Sequence, residues 1–255
     1  MITMESYAPG QFCWADLTAS DVPAAKRFYG SLFDWAFVDV PNFAEELEAA
    51  HAYVMCRVGG SDVCGLRAGA GALWQSYVSV ANADASARKA VDLGATLAGP
   101  AAPVLDIGRT AAVEDPAGAR LAFWQPKRHH GAGVRNQPRT VCWYELVTRA
   151  GVVAKKFYAS LFGWTAMEDR TRGAGHTQWR RGEAALGGMF TRATTEGDLS
   201  PRWLVYFAVG DCDAVAMQAI ALGASLPVPP TSLSKGRRYA VIQDPQGAVF
   251  AIATV

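Results

Sequence analysis

A self-repeat constrains this chain more than any single motif. Cys13-Trp14-Ala15-Asp16-Leu17 returns 129 positions later as Cys142-Trp143-Tyr144-Glu145-Leu146. At the same offset Phe28-Tyr29-Gly30-Ser31-Leu32-Phe33-Asp34-Trp35 returns as Phe157-Tyr158-Ala159-Ser160-Leu161-Phe162-Gly163-Trp164, Trp74 as Trp203, and Asp115-Pro116-Ala117-Gly118 as Asp244-Pro245-Gln246-Gly247. Such a repeat means two copies of one structural unit, and it sets every candidate side chain in two environments that can be compared. Copies of roughly 125 residues are each large enough to bury a core. The expected organisation is a first domain over 1–127, a linker over 128–138 and a second domain over 139–255.

Each copy begins with a short strand, Gln11–Thr18 and Thr140–Thr148. An amphipathic helix follows, with Asp21 as N-cap and Pro23 in the first turn. Val22, Ala25, Phe28/Tyr29 and Leu32 recur at helical spacing, so one stripe is buried; Tyr29 and its copy Tyr158 belong to it. Strands are expected near Trp35–Val40, Tyr53–Val58 and Asp62–Arg67, the last two joined at Gly59-Gly60. A second unit of the same order runs through a strand at Ser76–Val80, a helix at Ala83–Leu93 and a closing strand at Leu121–Gln125. Its last hairpin turns at Asp115-Pro116-Ala117-Gly118, a type I pattern. Each copy is therefore βαβββ-βαβββ. Lys127–Pro138 lacks apolar periodicity and reads as a protease-accessible linker.

The net charge of +1 gives no electrostatic argument for nucleic acid or an anionic membrane. No apolar run reaches transmembrane length, and Met1-Ile2-Thr3-Met4-Glu5-Ser6 lacks the pattern of a signal peptide. Five cysteines without metal-site spacing fit free thiols in a reduced, cytoplasmic setting.

With its strand, its Phe-Tyr-x-x-Leu-Phe-Gly-Trp helix and its closing Asp-Pro-x-Gly hairpin, the chain resembles the vicinal oxygen chelate superfamily, which includes glyoxalase I, bleomycin-resistance proteins and extradiol dioxygenases. The first copy departs from the helix pattern only at Asp34. The resemblance covers almost the whole chain, twice. It implies an α+β fold of two tandem glyoxalase-like domains, each a pair of βαβββ units forming a curved, cup-shaped mixed sheet. It also implies a divalent metal inside the cup. The positions that correspond to the ligands are Trp14, Gln75 and Ala122 in the first copy, and Trp143, Leu204 and Ala251 in the second. An indole nitrogen has no lone pair for a cation and alanine has no donor, so neither a metal nor any other cofactor is expected. His129 and His130 lie in the linker, and His51 and His176 are unmatched between the copies.

Residues two apart on a strand face the same side, so Phe12, Trp14 and Asp16 are expected to share the cup face, as are Val141, Trp143 and Glu145. Each cup then shows an indole with a carboxylate. On the functional reading Trp14, Gln75, Arg109, Trp143 and Arg237 contact a ligand, while Asp16, Glu145, Tyr77 and Tyr206 are candidate catalytic groups. On the structural reading the indoles fill cups that have lost their metal, the acids bind backbone or an Arg, and Trp74, Trp203, Trp35 and Trp164 are core or domain-interface residues. One copy is expected to bind and the other mainly to stabilise, and the first, with the more polar set Asp16 and Gln75, is the one favoured for binding.

The leading expectation is a metal-independent protein that binds an aromatic or polyketide-like small molecule, in resistance or secondary metabolism. The alternative is an enzyme: a cofactor-free isomerase, cyclase, hydratase or lyase with Asp16 or Glu145 as base. A metal-dependent lyase or dioxygenase is the third reading. The expected partner is a small molecule, with the two domains packed on each other.

Overall fold

A computed structural model describes residues 2–40, 53–169, 174–191, 200–233 and 236–255. His51 lies outside them. After a two-residue β1 (Ile2–Thr3), the first half runs β2 (Phe12–Ala19), α1 (Val22–Phe33), β3 (Ala36–Val40), β4 (Tyr53–Val58), β5 (Ser61–Ala68), β6 (Leu73–Ser79), α2 (Ala83–Asp92), β7 (Thr96–Leu97), β8 (Ala102–Val104), β9 (Gly108–Glu114) and β10 (Arg120–Pro126). After β11 (Val134–Arg135), the second half runs β12 (Val141–Thr148), α3 (Gly151–Phe162), β13 (Thr165–Glu168), β14 (His176–Arg181), β15 (Ala184–Thr191), β16 (Arg202–Val209), α4 (Cys212–Ala221), β17 (Ser225–Ser232), β18 (Arg238–Gln243) and β19 (Val249–Thr254).

The sheets have matching orders, β3-β4-β5-β2-β6-β10-β9-β7 and β13-β14-β15-β12-β16-β19-β18-β17; β8 pairs with β9 beside the first path. Both are mixed. The strand opening each βαβββ unit lies parallel to its closing strand, β2 on β5 and β6 on β10, as a helical crossover requires. The result is two tandem glyoxalase-like cups.

Local chemistry explains the helix ends. Asp21 accepts from the Ala24 amide at 2.8 Å and Pro23 opens α1. Both first-unit helices stop on a left-handed residue, Gly163 at φ 71 and Asp34 at φ 50. Glycine takes that conformation freely. Asp34 takes it while its carboxylate accepts from Arg139 Nη1 at 2.6 Å, a contact between the halves.

The convex faces of the two sheets share one apolar core with the four helices. Phe12 stacks on Tyr144 at 4.2 Å, and Phe207 packs against Phe33, Trp35 and Trp74. Trp74 and Trp203 are buried here, in the interface, and donate to the phenols of Tyr29 and Tyr158 at 3.0 and 2.8 Å. Trp35 and Trp164 donate across the interface to the carbonyls of Arg139 and Gly10.

The stretch expected as the linker is held along much of its length. Residues 127–135 are pinned to the first sheet: Lys127 and His129 donate to the carbonyl of Ile107, Ala132 donates to the carbonyl of Cys13, and Gly133 donates to the carbonyl of Asp62 and accepts from the amide of Met4. Gly131, at φ 124, lies so close to the Cys13 carbonyl that a Cβ there would sit 2.4 Å from it. A polar, Gly-rich stretch reads as loose in sequence, yet its backbone groups find partners at the starts of β2, β5 and β9.

Candidate functional site

Register decides which side chains enter the cups. Residues opposite each other in a ladder share a face. In the first sheet Trp14 faces Tyr77, Asp16 faces Gln75, Tyr77 lies beside Ala122, and Asp16 lies beside Gly65. Tyr53 faces Arg67 on the adjoining pair. All these residues line one concave face. The second sheet repeats the pairing with Trp143 on Tyr206, Glu145 on Leu204, Tyr206 beside Ala251, Glu145 beside Gly188, and His176 on Phe190.

Phe12 and Val141 do not join them. The ladder shifts between Phe12 and Trp14, and again between Val141 and Trp143. The irregularity turns Phe12 and Val141 into the interdomain core, so that Cys13 with Trp14 and Cys142 with Trp143 enter the cups. The alternation rule fails at that one step in both copies.

The first cup is knit together around Asp16, while Asp16 Oδ1, Arg67 Nε and His129 Nε2 are buried without a hydrogen-bond partner. Asp16 is buried at 3% exposure; its Oδ2 accepts from Tyr77 at 2.8 Å and from Tyr53 at 3.4 Å, and Arg67 Nε stands 3.6 Å from Oδ1. Burial raises the Asp16 pKa, while Arg67 and the two phenols pull against it. Trp14 Nε1 donates to Tyr53 Oη at 2.9 Å. Gln75 is buried and donates to the carbonyl of Ser76. Above this floor the 127–135 segment closes the mouth. His129 meets Trp14 edge-on at 4.6 Å, and Trp124 donates to its carbonyl at 2.8 Å.

The second cup has the same plan with different occupants. Tyr206 donates to Glu145 Oε2 at 2.6 Å, and both residues are buried. Val147, Leu204, Val241 and Ala251 form an apolar floor, with Cys142, Trp143, Val228 and Tyr239 packed on it. Ala253 stands where the first cup has Trp124. His176 and Phe190 replace Tyr53 and Arg67, their rings stacked at 4.5 Å. The Trp143 indole N–H is buried without a hydrogen-bond partner.

The two arginines predicted to line the cups part company. Arg109 sits on the helix-facing side of β9, where its guanidinium grips Asp84 of α2 at 2.6 and 2.9 Å and the carbonyl of Ala101. It is a strut between sheet and helix, and the expectation of a ligand contact is corrected. Its true copy is Arg238, which grips Asp213 in the same way. Arg237 is one residue off that register and exposed. It stands near the second cup: burial pushes the Cys142 thiol up to about 12, while Arg135 and, more weakly, Arg237 pull it down. The counterpart of Arg237 is Gly108, where a Cβ would lie 2.3 Å from Trp124. Sequence reading also missed Tyr53 and His129, one because the offset between copies shrinks at β4, the other because it lies in the linker.

A family-type metal does not suit these cups. The corresponding positions carry Trp14, Gln75 and Ala122, and Trp143, Leu204 and Ala251. The carboxylates of Asp16 and Glu145 are engaged by Tyr77 and Tyr206. Among the described residues no group of three His, Cys, Asp or Glu side chains could hold a metal ion, and no helix is long and apolar enough to cross a membrane.

Comparison with known proteins supports the fold. The glyoxalase-like domain family matches residues 148–253. CFP32 of Mycobacterium tuberculosis, which carries a glyoxylase name, is 34% identical over 254 residues, covering 96% of this chain and 95% of its own. DnrV of Streptomyces peucetius, named an anthracycline biosynthesis protein, is 32% identical over 266 residues, covering 98% and 94%. Among solved structures, homoprotocatechuate 2,3-dioxygenase of Arthrobacter globiformis superposes with a TM-score of 0.65 at 16% identity, covering 100% of this chain and 83% of that one. The Mn(II)-bound glyoxalase of Novosphingobium aromaticivorans gives 0.64 at 14% identity, covering 96% and 82%. With two cup-shaped sheets, a repeated signature helix and relatives aligned along nearly its whole length, this chain belongs to the glyoxalase-like proteins of the vicinal oxygen chelate superfamily.

Proposed function

We propose that this protein binds a flat aromatic, polyketide-like molecule in its second cup without the help of a metal ion. The observation that carries this reading is the asymmetry of two cups built on one plan. In the first, Tyr53 accepts from the indole of Trp14, Tyr53 and Tyr77 donate to Asp16, and His129 of the 127–135 segment packs on Trp14. In the second, an apolar floor, a stacked His176–Phe190 wall and an indole edge surround the Glu145–Tyr206 pair. Planar, largely apolar ligands suit such surroundings. Relatives named for anthracycline biosynthesis, DnrV and DauV of Streptomyces, support a place in aromatic polyketide chemistry. The ligand-binding side chains are then Trp143, with Arg237 at the rim, rather than Trp14, Gln75 and Arg109.

The test joins two measurements. Calorimetric titration with polycyclic quinones should show one site per chain, weakened about tenfold in Trp143→Ala and unchanged in Trp14→Ala. Elemental analysis of the purified protein should show far less than one equivalent of manganese, iron, zinc or nickel. Stoichiometric metal in either cup overturns metal independence, and loss of binding through Trp14 alone moves the site to the first cup.

A second reading draws on the 2.6 Å bond from Tyr206 to Glu145. A carboxylate held by a phenol among apolar walls can take a proton while the phenol steadies developing charge, as cofactor-free isomerisation or cyclisation requires. Turnover of a bound ligand that disappears in Glu145→Gln with binding retained would select this reading.

A further inference from the structure

The two cups, compared atom by atom, point to the chemical group the second one receives. In the first cup Tyr53 Oη accepts from Trp14 Nε1 at 2.9 Å and donates towards Asp16 Oδ2 at 3.4 Å. That oxygen lies directly over Gly65: a Cβ on Gly65 would be 1.9 Å from it. Gly65 therefore has to be glycine, because the phenol of its own chain lies where a side chain would begin.

Among the described residues the second cup keeps the indole, the carboxylate and the glycine of this arrangement, with His176 in place of the phenol. Gly188 holds the register of Gly65, beside Glu145 as Gly65 is beside Asp16. Its Cβ position is 2.9 Å from both Trp143 Nε1 and Glu145 Oε1. The indole donor and the carboxylate thus converge over the bare glycine as their counterparts do in the first cup. His176, at the register of Tyr53, has its ring stacked on Phe190. Trp143 Nε1 is buried with no partner, whereas Trp14 Nε1 has one. A buried N–H without an acceptor is disfavoured, and a ligand that supplies one gains by it.

We propose that the second cup recognises a phenolic hydroxyl, which takes the place that Tyr53 Oη fills in the first: it accepts from Trp143 Nε1 and donates to Glu145, over Gly188. The inference rests on the second-cup reading above and narrows it to hydroxyarenes. The pair discriminates by hydrogen-bond sense. A hydroxyl both accepts and donates, an aryl ether only accepts, and an unsubstituted ring does neither.

The experiment compares matched probes by calorimetry: naphthol with methoxynaphthalene, and hydroxyanthraquinone with methoxyanthraquinone, the substituent on the same ring carbon. The phenols should bind about tenfold or more tightly than the ethers, the factor expected for a hydrogen bond to a charged group. Trp143→Phe keeps the aromatic wall and removes the N–H from which phenol and ether oxygens both accept, so it should weaken both while leaving binding of the unsubstituted ring unchanged. His176→Tyr should supply the second cup with its own phenol and abolish the preference; a thermal melt matching the parent would show that the fold survives. Gly188→Ala should block the place in the same sense. Equal affinities for phenol and ether, both sensitive to Trp143→Ala, would leave the second-cup reading standing and overturn the hydroxyl assignment. Binding of none of the probes would overturn both.

Discussion

The phenol of Tyr29, on the first helix, donates to the carboxylate of Asp244, in the last hairpin of the other half, at 2.8 Å. Tyr158 returns the bond to Asp115 at 2.7 Å. Each Asp opens an Asp-Pro-x-Gly turn and spends Oδ1 on two turn amides, Ala117 with Ala119 or Gln246 with Ala248. Oδ2 is thereby aimed at the opposite half. A motif that reads as a local turn is also the lock between the domains.

Tyr29→Phe should therefore destabilise the whole chain by about 1–3 kcal/mol, because Trp74 Nε1 and Asp244 Oδ2 each lose a buried partner. Tyr158→Phe should do the same through Trp203 and Asp115. Urea denaturation measures it; a variant as stable as the parent would show that the bond adds nothing to docking.

Asp16 should make stability depend on pH. Burial raises its carboxyl pKa in the folded state despite Arg67 and the phenols of Tyr77 and Tyr53. A raised carboxyl binds its proton more tightly folded than unfolded, so the ionised form is a cost at neutral pH that is relieved as pH falls through the folded value, until the ordinary value of about 3.9 is reached. Asp16→Asn removes this dependence. Its unfolding free energy relative to the parent should be most favourable near neutral pH and decline on acidification; a pH-independent difference would contradict the burial argument.

His129 should act in the opposite direction. Burial holds its imidazole below the ordinary range, with His130 adding to the depression and Asp62 opposing it. The folded state then binds fewer protons, so the contribution is present above about pH 6.5 and is lost as pH falls below it. Trypsin cleavage after Arg128, whose side chain is 73% exposed, should be slow at neutral pH and faster in His129→Ala. Rapid cutting of the parent at this bond would mean the segment is not held in the cup.

The paired indoles should respond differently to removal. Trp14 is 5% exposed and hydrogen-bonded, so Trp14→Ala should cost about 3–5 kcal/mol of stability. Trp143→Ala should cost less stability and weaken ligand binding by about tenfold, since stacking contributes roughly 0.5–1.5 kcal/mol beyond area burial. Thermal melts and titrations on the same preparations separate the two effects; equal behaviour would remove the distinction between the cups.

The sequence by itself determined the architecture. A repeat at one offset, a helical stripe through Phe28, Tyr29 and Leu32, and a turn of Asp, Pro and Gly are local patterns, and local patterns fix helices, strands and hairpins. They also put the indole–carboxylate pairs Trp14–Asp16 and Trp143–Glu145 in the cups, because alternation along a strand survives folding. Only the tertiary structure decided the rest. The ladder shift after Phe12 exchanged its face, since a bulge depends on how the partner strand is met. Arg109 went to the helix side by parity, to an acid that sequence spacing did not mark. The linker acquired partners because the starts of β2, β5 and β9 lay within reach. Which indole finds a partner for its N–H depended on residues distant in sequence, Tyr53 in one half and His176 in the other. Contacts over such separations are set by the packing of whole sheets, which no window of sequence contains.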